Sequence, residues 1–223
     1  MISDSIKAAG EVTLVLTDQY GAVKQQDTDN LVVTIGKAFL SSRLAVPNTL
    51  VSAMTASQSG TTLTVTALTG SLQPGHVVTG SGISANTVVL SQLTGTIGGI
   101  GTYQVSTAAT VGSAGGMTAA AAPQVGWMAL GTNAIAAATS DIALGTEITR
   151  AAVSSTSIVT TTTTNDAVQY IASYAPGVAT GPLTEAGLFT AASGGVMLSR
   201  TVFPVINKGA LDTLGVTWKI TQV

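Results

Sequence analysis

The chain has 223 residues, 8% of them charged and 45% apolar, with no cysteine, one histidine and a formal net charge of -2. Those counts exclude a disulfide scaffold, an iron–sulfur cluster and a cysteine-based zinc site, and 8 basic residues cannot build a phosphate-binding field for nucleic acid. A charged fraction far below the ~25% of ordinary soluble domains, joined to a high apolar fraction, excludes charge-driven disorder and points to a β-rich structural protein.

Gly10 to Gln26 reads as a β-hairpin, with Val12, Leu14 and Leu16 on one face and Glu11, Thr13, Val15 and Thr17 on the other. Asp18-Gln19-Tyr20-Gly21 is its turn. Asp27-Thr28-Asp29-Asn30 follows as a solvated turn, then the apolar Leu31-Val32-Val33. Thr34 to Leu44 is the one predicted helix. Thr34 can cap it, Ile35, Ala38, Phe39 and Ser42 share a face flanked by Leu40 and Leu44, and Pro47 stops it. Gly36 near its start costs helix propensity.

From about Val51 to Ala122 short Thr/Val/Leu strands alternate with glycine turns: Thr61–Leu68, His76–Thr79, Thr87–Leu93 and Thr102–Val105. This spacing predicts a small inserted sandwich or barrel, with Gly112–Ala122 as the linker leading out. No Asp, Glu, Lys or Arg occurs in the 97 residues from Leu44 to Ser140. Such a stretch crosses a membrane, is buried in an assembly, or forms a neutral Ser/Thr/Gly surface. The most apolar window, Met117–Leu130, is interrupted by Pro123, Gln124 and Gly126 and falls short of the ~20 residues a spanning helix needs. The N-terminus, MISDSIKAAGEV, has no apolar core of a signal peptide. Assembly or a neutral surface is therefore expected.

Beyond Gly126 the chain is again mostly strand, over Ala151–Thr164, Ala167–Tyr174, Val196–Phe203 and Leu214–Thr221, with Gly187 and Gly194-Gly195 read as turns. Trp218 alternates with Leu214, Val216 and Ile220 and reads as core.

Motifs with chemistry fail on inspection. Gly80-Ser81-Gly82-Ile83-Ser84-Ala85 fits a dinucleotide pattern, but strand-like Thr87-Val88-Val89-Leu90 follows where a helix is required, so it reads as a tight turn. Gly36-Lys37 lacks the earlier glycine and the Ser or Thr of a phosphate loop. Asp27-Thr28-Asp29 opens like a calcium loop, but Val32 and Ala38 stand where Gly and Glu are needed. His76 has no G-x-S-x-G elbow to serve and reads as a surface residue at a strand start. Glu147, Asp141, Glu185 and Asp212 are carboxylates without the aromatic platforms of a sugar cleft. No complete acid–base constellation assembles, so no catalysis, cofactor or metal is expected.

Two stretches carry a resemblance: NLVVTIGKAFLSSRL (residues 30–44) after the GEVTLVLTDQYGAVK hairpin, and MALGTNAIAAATSDIALGTEITR (residues 128–150) with GVATGPLTEAGLFTAASGGVMLSRTVFPVINKGALDTLGVTWKITQV (residues 177–223). They resemble small structural proteins of tailed bacteriophages. LTEAGL (residues 183–188), with its glycine turn and arginine-ended strand, looks like the attachment module of tail-collar fibres. TLTVTALTGSLQPGHVVTGSGISANTVVLSQL is similar to β-modules of phage virion proteins. The resemblance implies a virion component assembled in the host cytoplasm, and a homotrimer in contact with a major capsid protein or with tail and collar proteins.

The expected architecture is all-β: an antiparallel β-sandwich main domain with one short helix (residues 1–52 and 123–223), plus a small inserted β-sandwich or barrel module (residues 53–122). Leu14, Leu16, Phe39, Leu188, Phe189, Val202, Phe203, Val216, Trp218 and Ile220 are the expected core. Glu147, Arg150, Glu185, Arg200, Lys208 and Asp212 cluster in the part that carries the resemblance and are candidate intersubunit contacts, with Glu147 and Arg150 pairing if their turn is helical. Ordinary exposed pairs are the competing reading. The compact length and the lack of a fibre shaft favour a capsid-surface decoration protein. The alternatives are a tail-collar or fibre-base component, and an adhesin binding host glycan through the inserted module.

Overall fold

A computed structural model describes residues 8–44, 50–162 and 164–222. In chain order the elements are β1 (Ala8–Thr17), β2 (Val23–Asp29), β3 (Leu31–Val32), α1 (Thr34–Leu44), β4 (Val51–Thr69), β5 (His76–Thr79), β6 (Thr87–Gln92), β7 (Gly101–Ala121) and β8 (Trp127–Gly131), followed by β9 (Glu147–Ala152), β10 (Ser155–Val159), β11 (Ala167–Tyr174), β12 (Gly181–Phe189), β13 (Met197–Lys208) and β14 (Thr213–Gln222). The protein is thus almost all β, as its composition implies. It divides into two compact units. The first comprises the described residues of Met1–Val32, Val125–Ser193 and Ser199–Val223, and the second those of Val33–Gln124 and Gly194–Leu198.

The first unit holds two antiparallel five-stranded sheets, β10-β11-β14-β1-β2 and β3-β13-β12-β8-β9. Period-2 alternation explains the first sheet. Val12 lies opposite Trp218, Leu14 opposite Val216 and Leu16 opposite Leu214, and all six are buried. Each such side chain contributes roughly 1.5–3 kcal/mol by leaving water. The β1–β2 turn forms because Asp18 Oδ1 accepts the N–H groups of Tyr20 and Ala22, while Gly21 takes φ +84°, a conformation glycine adopts without strain. Tyr174, on β11 of the first sheet, donates its hydroxyl to the Met128 carbonyl on β8 of the second at 2.7 Å. Burial, and after it the nearby Glu147 carboxylate, hold that hydroxyl far above its ordinary pKa.

Several expectations change here. Asp27-Thr28-Asp29 ends strand β2 and is no turn, because Thr13 Oγ1 donates to Asp27 and β2 pairs with β1 along its whole length. Gly187 lies inside β12: a Cβ there would come within 2.9 Å of both Leu144 Cδ2 and Phe189 Cε2, so close packing and not a turn requires glycine. Val202 is half-buried, while the other expected core residues are buried. The Ala151–Thr164 run is split by a turn between β9 and β10, and Asp166 accepts the N–H and hydroxyl groups of Thr161 and Thr162 in the loop that follows.

The second unit is a four-stranded sheet, β4-β7-β5-β6, that closes on itself because β6 also pairs with β7. Its core is Val51, Met54, Leu63, Val65, Leu72, Val78, Val89, Tyr103, Val105 and Met117. Strand β4 bends through Gly60 (φ +59°) until its ends meet: Thr66 Oγ1 donates to the Thr55 carbonyl, and a Cβ on Gly70 would fall 2.1 Å from the Leu50 carbonyl oxygen. Register shifts along the β4–β7 pairing absorb the bend. Gly112–Ala121, within the stretch expected as a linker, belongs to β7, where Met117 and Ala119 are buried. Helix α1 spans the predicted residues and buries Ile35, Ala38 and Phe39. It packs against β6 and β7, so it groups with this unit and not with the sandwich. Gly36 is where a Cβ would sit 1.9 Å from the Leu198 carbonyl oxygen, which outweighs its propensity cost. The side chains of Ser42 and Leu44, and Pro47, lie outside the described residues.

Candidate functional site

The first unit carries an unusual investment of charge around the 132–146 segment between β8 and β9, a connection of a length that is uncommon without a role. Pairing of β12 with β8 puts Glu185, Gly187 and Phe189 opposite Gly131, Ala129 and Trp127, on one face of the sheet. Met128, Leu130 and Leu188, all buried, alternate onto the face opposite to that of Glu185. The 132–146 segment crosses the Glu185 face, and Leu144 seats against Gly187.

Glu185 is 0% exposed and is the hub. Its Oε1 accepts the N–H groups of Asn133 (3.1 Å) and Thr146 (2.7 Å), and its Oε2 accepts that of Gly145 (3.0 Å). From β13, Arg200 adds Nε (2.9 Å) and an Nη2 contact (2.8 Å) to the same Oε2. Its Nη1 reaches Asp141 Oδ2 at 2.8 Å, and its Nη2 donates to the Ile135 carbonyl. One carboxylate and one guanidinium therefore grip the segment at both ends and in its middle. Burial opposes the Arg200 charge, but the Asp141 and Glu185 hydrogen bonds outweigh it and raise its pKa above the ordinary value. Two glycines make room: a Cβ on Gly131 would meet Glu185 Oε1 at 2.6 Å, and one on Gly145 would meet the Asn133 side chain.

Beside this cluster Glu147 and Arg150 pair through both carboxylate oxygens, at 2.7 and 2.9 Å. They do so on a strand, where residues three apart normally face opposite ways. Ile148 is the reason. Leu130 pairs with Thr149 but Gly131 with Glu147, so one extra residue bulges out and returns Glu147 and Arg150 to the same face. The Arg150 guanidinium lies 3.6 Å from the centre of the Phe189 ring and donates to the Ala191 carbonyl. A third group closes the β13–β14 turn. The buried Lys208 ammonium donates to the carbonyls of Ala175 (3.1 Å) and Asp212 (2.6 Å), and the Asp212 carboxylate accepts the Gly209 N–H. Burial lowers the Lys208 pKa, and Asp212 partly offsets this.

The six candidate contact residues thus meet in three groups within a single chain. Glu185, Arg200 and Lys208 are buried there and bonded to groups of their own chain. The segment exposes Ile135 (73%) and Ile142 (44%), with Ala134, Ala136 and Ala138 near Ile135 and the polar Thr139, Ser140 and Thr146 exposed alongside them. The backbone partners of Glu185 are not visible in the sequence. A signal existed in LTEAGLF and MLSRTVF, where a lone charge sits in an apolar strand and must find a partner.

The remaining motifs resolve simply. Gly80–Ala85 is a turn between β5 and β6. Lys37 is in α1. His76 is buried, contrary to the surface reading; its Nδ1 lies 3.4 Å from the Gln73 N–H and burial lowers its pKa. Among the described residues no three His, Asp or Glu side chains come together as a metal site, and no helix is long and apolar enough to cross a membrane. The chain matches no known protein family, and no curated protein or solved structure matches it significantly.

Proposed function

We propose that the chain is a non-enzymatic structural subunit of a tailed-bacteriophage particle, a capsid-surface protein whose docking face is the 132–146 segment. One observation carries the reading. The residues of the stretches that resemble virion proteins, Asp141, Glu185 and Arg200, converge on a single buried ion cluster whose effect is to hold that segment in one conformation. Buried ion pairs are poor sources of stability, and fixing a conformation is the better-attested reason to keep one. The Glu185 carboxylate has its oxygens occupied by three N–H groups and a guanidinium, which suits a strut and not an acid or base. A surface repeated around a shell needs such a fixed shape, and closed homo-oligomers, here a trimer, are the usual form of repeated contact.

Quantitative mass spectrometry of purified particles tests this. Copies on the order of hundreds per particle are expected for a shell protein built on a repeated closed contact. Copies on the order of ten place it at the tail collar instead, and absence from the particle overturns the proposal. In the recombinant chain, Ile135→Asp is expected to leave the fold intact and to lower the oligomer mass.

A further inference from the structure

A second feature of the first unit lies away from the ion cluster and does not depend on the virion reading. Strand β2 is the free edge of one sheet. In the other, β3 covers β13 only at Ser199 and Arg200, so that beyond them β13 has no strand neighbour on that side among the described residues. The two edges are joined near Asn30, where Thr201 Oγ1 donates to the Asp29 carbonyl and the Asn30 amide reaches Ser199 Oγ. Farther on they enclose a cleft of about 450 Å³ walled by Lys24–Gln26 on β2 and by Val205–Asn207 on β13, with Leu16 at its base. That volume is in the range of ~300–1,000 Å³ typical of ligand sites.

The chemistry of the walls is one-sided. Gln26 Nε2 is buried with no hydrogen-bond partner, the kind of orphaned donor that costs free energy until an acceptor arrives. Lys24 has no ion-pair partner among the described residues. Gln25 has its amide turned to Asp27. The cleft therefore offers one cation, Lys24, between two unpaired strand edges.

We infer that this cleft binds an extended acidic peptide segment of a partner protein, whose backbone lies along the free edges of β2 and β13, with a carboxylate facing Lys24. Main-chain pairing supplies the affinity in such strand addition, and the side-chain contacts supply selection.

The test uses the full chain and three fluorescent, acetylated and amidated pentapeptides, Thr-Val-Asp-Val-Thr and its counterparts with Ser or Lys at the centre. Fluorescence anisotropy is expected to show saturable binding of the Asp peptide, about tenfold tighter than the Lys peptide, the size of a partly desolvated ion pair. Lys24→Ser should remove that preference while leaving binding of the Ser peptide unchanged. Val205→Arg, at a position 53% exposed, should block all three peptides without changing the circular dichroism spectrum. Amide exchange at Lys24–Gln26 and Val205–Asn207 should slow when the Asp peptide is present. No saturation of the Asp peptide up to about 1 mM (a limit near 4 kcal/mol), or binding untouched by Val205→Arg, overturns the site. Equal affinity for the Asp and Lys peptides overturns the acidic assignment.

Discussion

The two units of this chain hold β-structure together in opposite ways. The first contains every acidic residue of the protein, and it buries Glu185, Arg200 and Lys208 among large side chains such as Trp218, Tyr174 and Phe189. The second has Lys37 and Arg43 as its charged residues and fills the core of its sheet with Val, Met, Ala, Leu and one tyrosine. Its polar contacts are hydroxyls and amides, as where Thr79 meets Thr118, Thr94 meets Thr102, and Gln92 bonds Thr94, Thr96 and Gly98 inside one loop. A charge cluster fixes one long segment in a definite place. Neutral ladders and bent strands fix a small closed sheet without any ion.

The contrast is broken most directly by Arg200→Met. It leaves Glu185 buried without its guanidinium, and about 3–5 kcal/mol of stability should be lost, the usual cost of orphaning a buried charge. Chemical denaturation measures the loss. Hydrogen exchange should show Asn133, Gly145 and Thr146 opening first, with the β4–β7 amides unaffected. Equal loosening of both units would refute the division.

A smaller effect concerns acid. In the second unit His76 is the one group of the sequence that titrates between about pH 4 and pH 8. Burial lowers its folded pKa below 6.5, so the unfolded chain binds the extra proton. The stability this contributes is complete above pH 6.5 and declines as the pH falls toward the folded value. Exchange of the β5 amides should therefore accelerate on acidification, and His76→Asn, which keeps an acceptor near Nδ1, should flatten that dependence.

The smallest expected effect is at Ile97, which is 90% exposed on the β6–β7 loop. Ile97→Thr should change stability by less than about 0.5 kcal/mol, because the loop is held by Gln92 and by the Tyr103 hydroxyl on the Gly99 carbonyl, not by that side chain.

Local chemistry made much of the fold legible. The first hairpin, α1, β5, β11 and the Trp218 strand follow from alternation, a turn aspartate or an amphipathic stripe, all signals contained within a few residues. The failures share a cause. Gly112–Ala121 is a strand because Met117 and Ala119 find buried partners far along the chain, and Gly187 is a strand residue because Leu144 needs its space. His76 is hidden by the fold around it. The candidate site was half legible: its charged residues stand out in apolar strands, but Glu185 is satisfied by backbone N–H groups, which every residue type except proline carries. The Glu147–Arg150 pair was foreseen by spacing and realised by a bulge instead of a helical turn.

The neutrality of the closed sheet also shapes how the protein meets digestive enzymes. Between Arg43 and Arg150 the sequence offers no lysine or arginine, so trypsin has no bond to cut across that whole stretch. At its far end the Arg150 side chain is packed on Phe189 and clamped by Glu147. A brief tryptic digest should leave this stretch uncut, whereas a protease that prefers apolar or small residues can reach the loops that trypsin ignores.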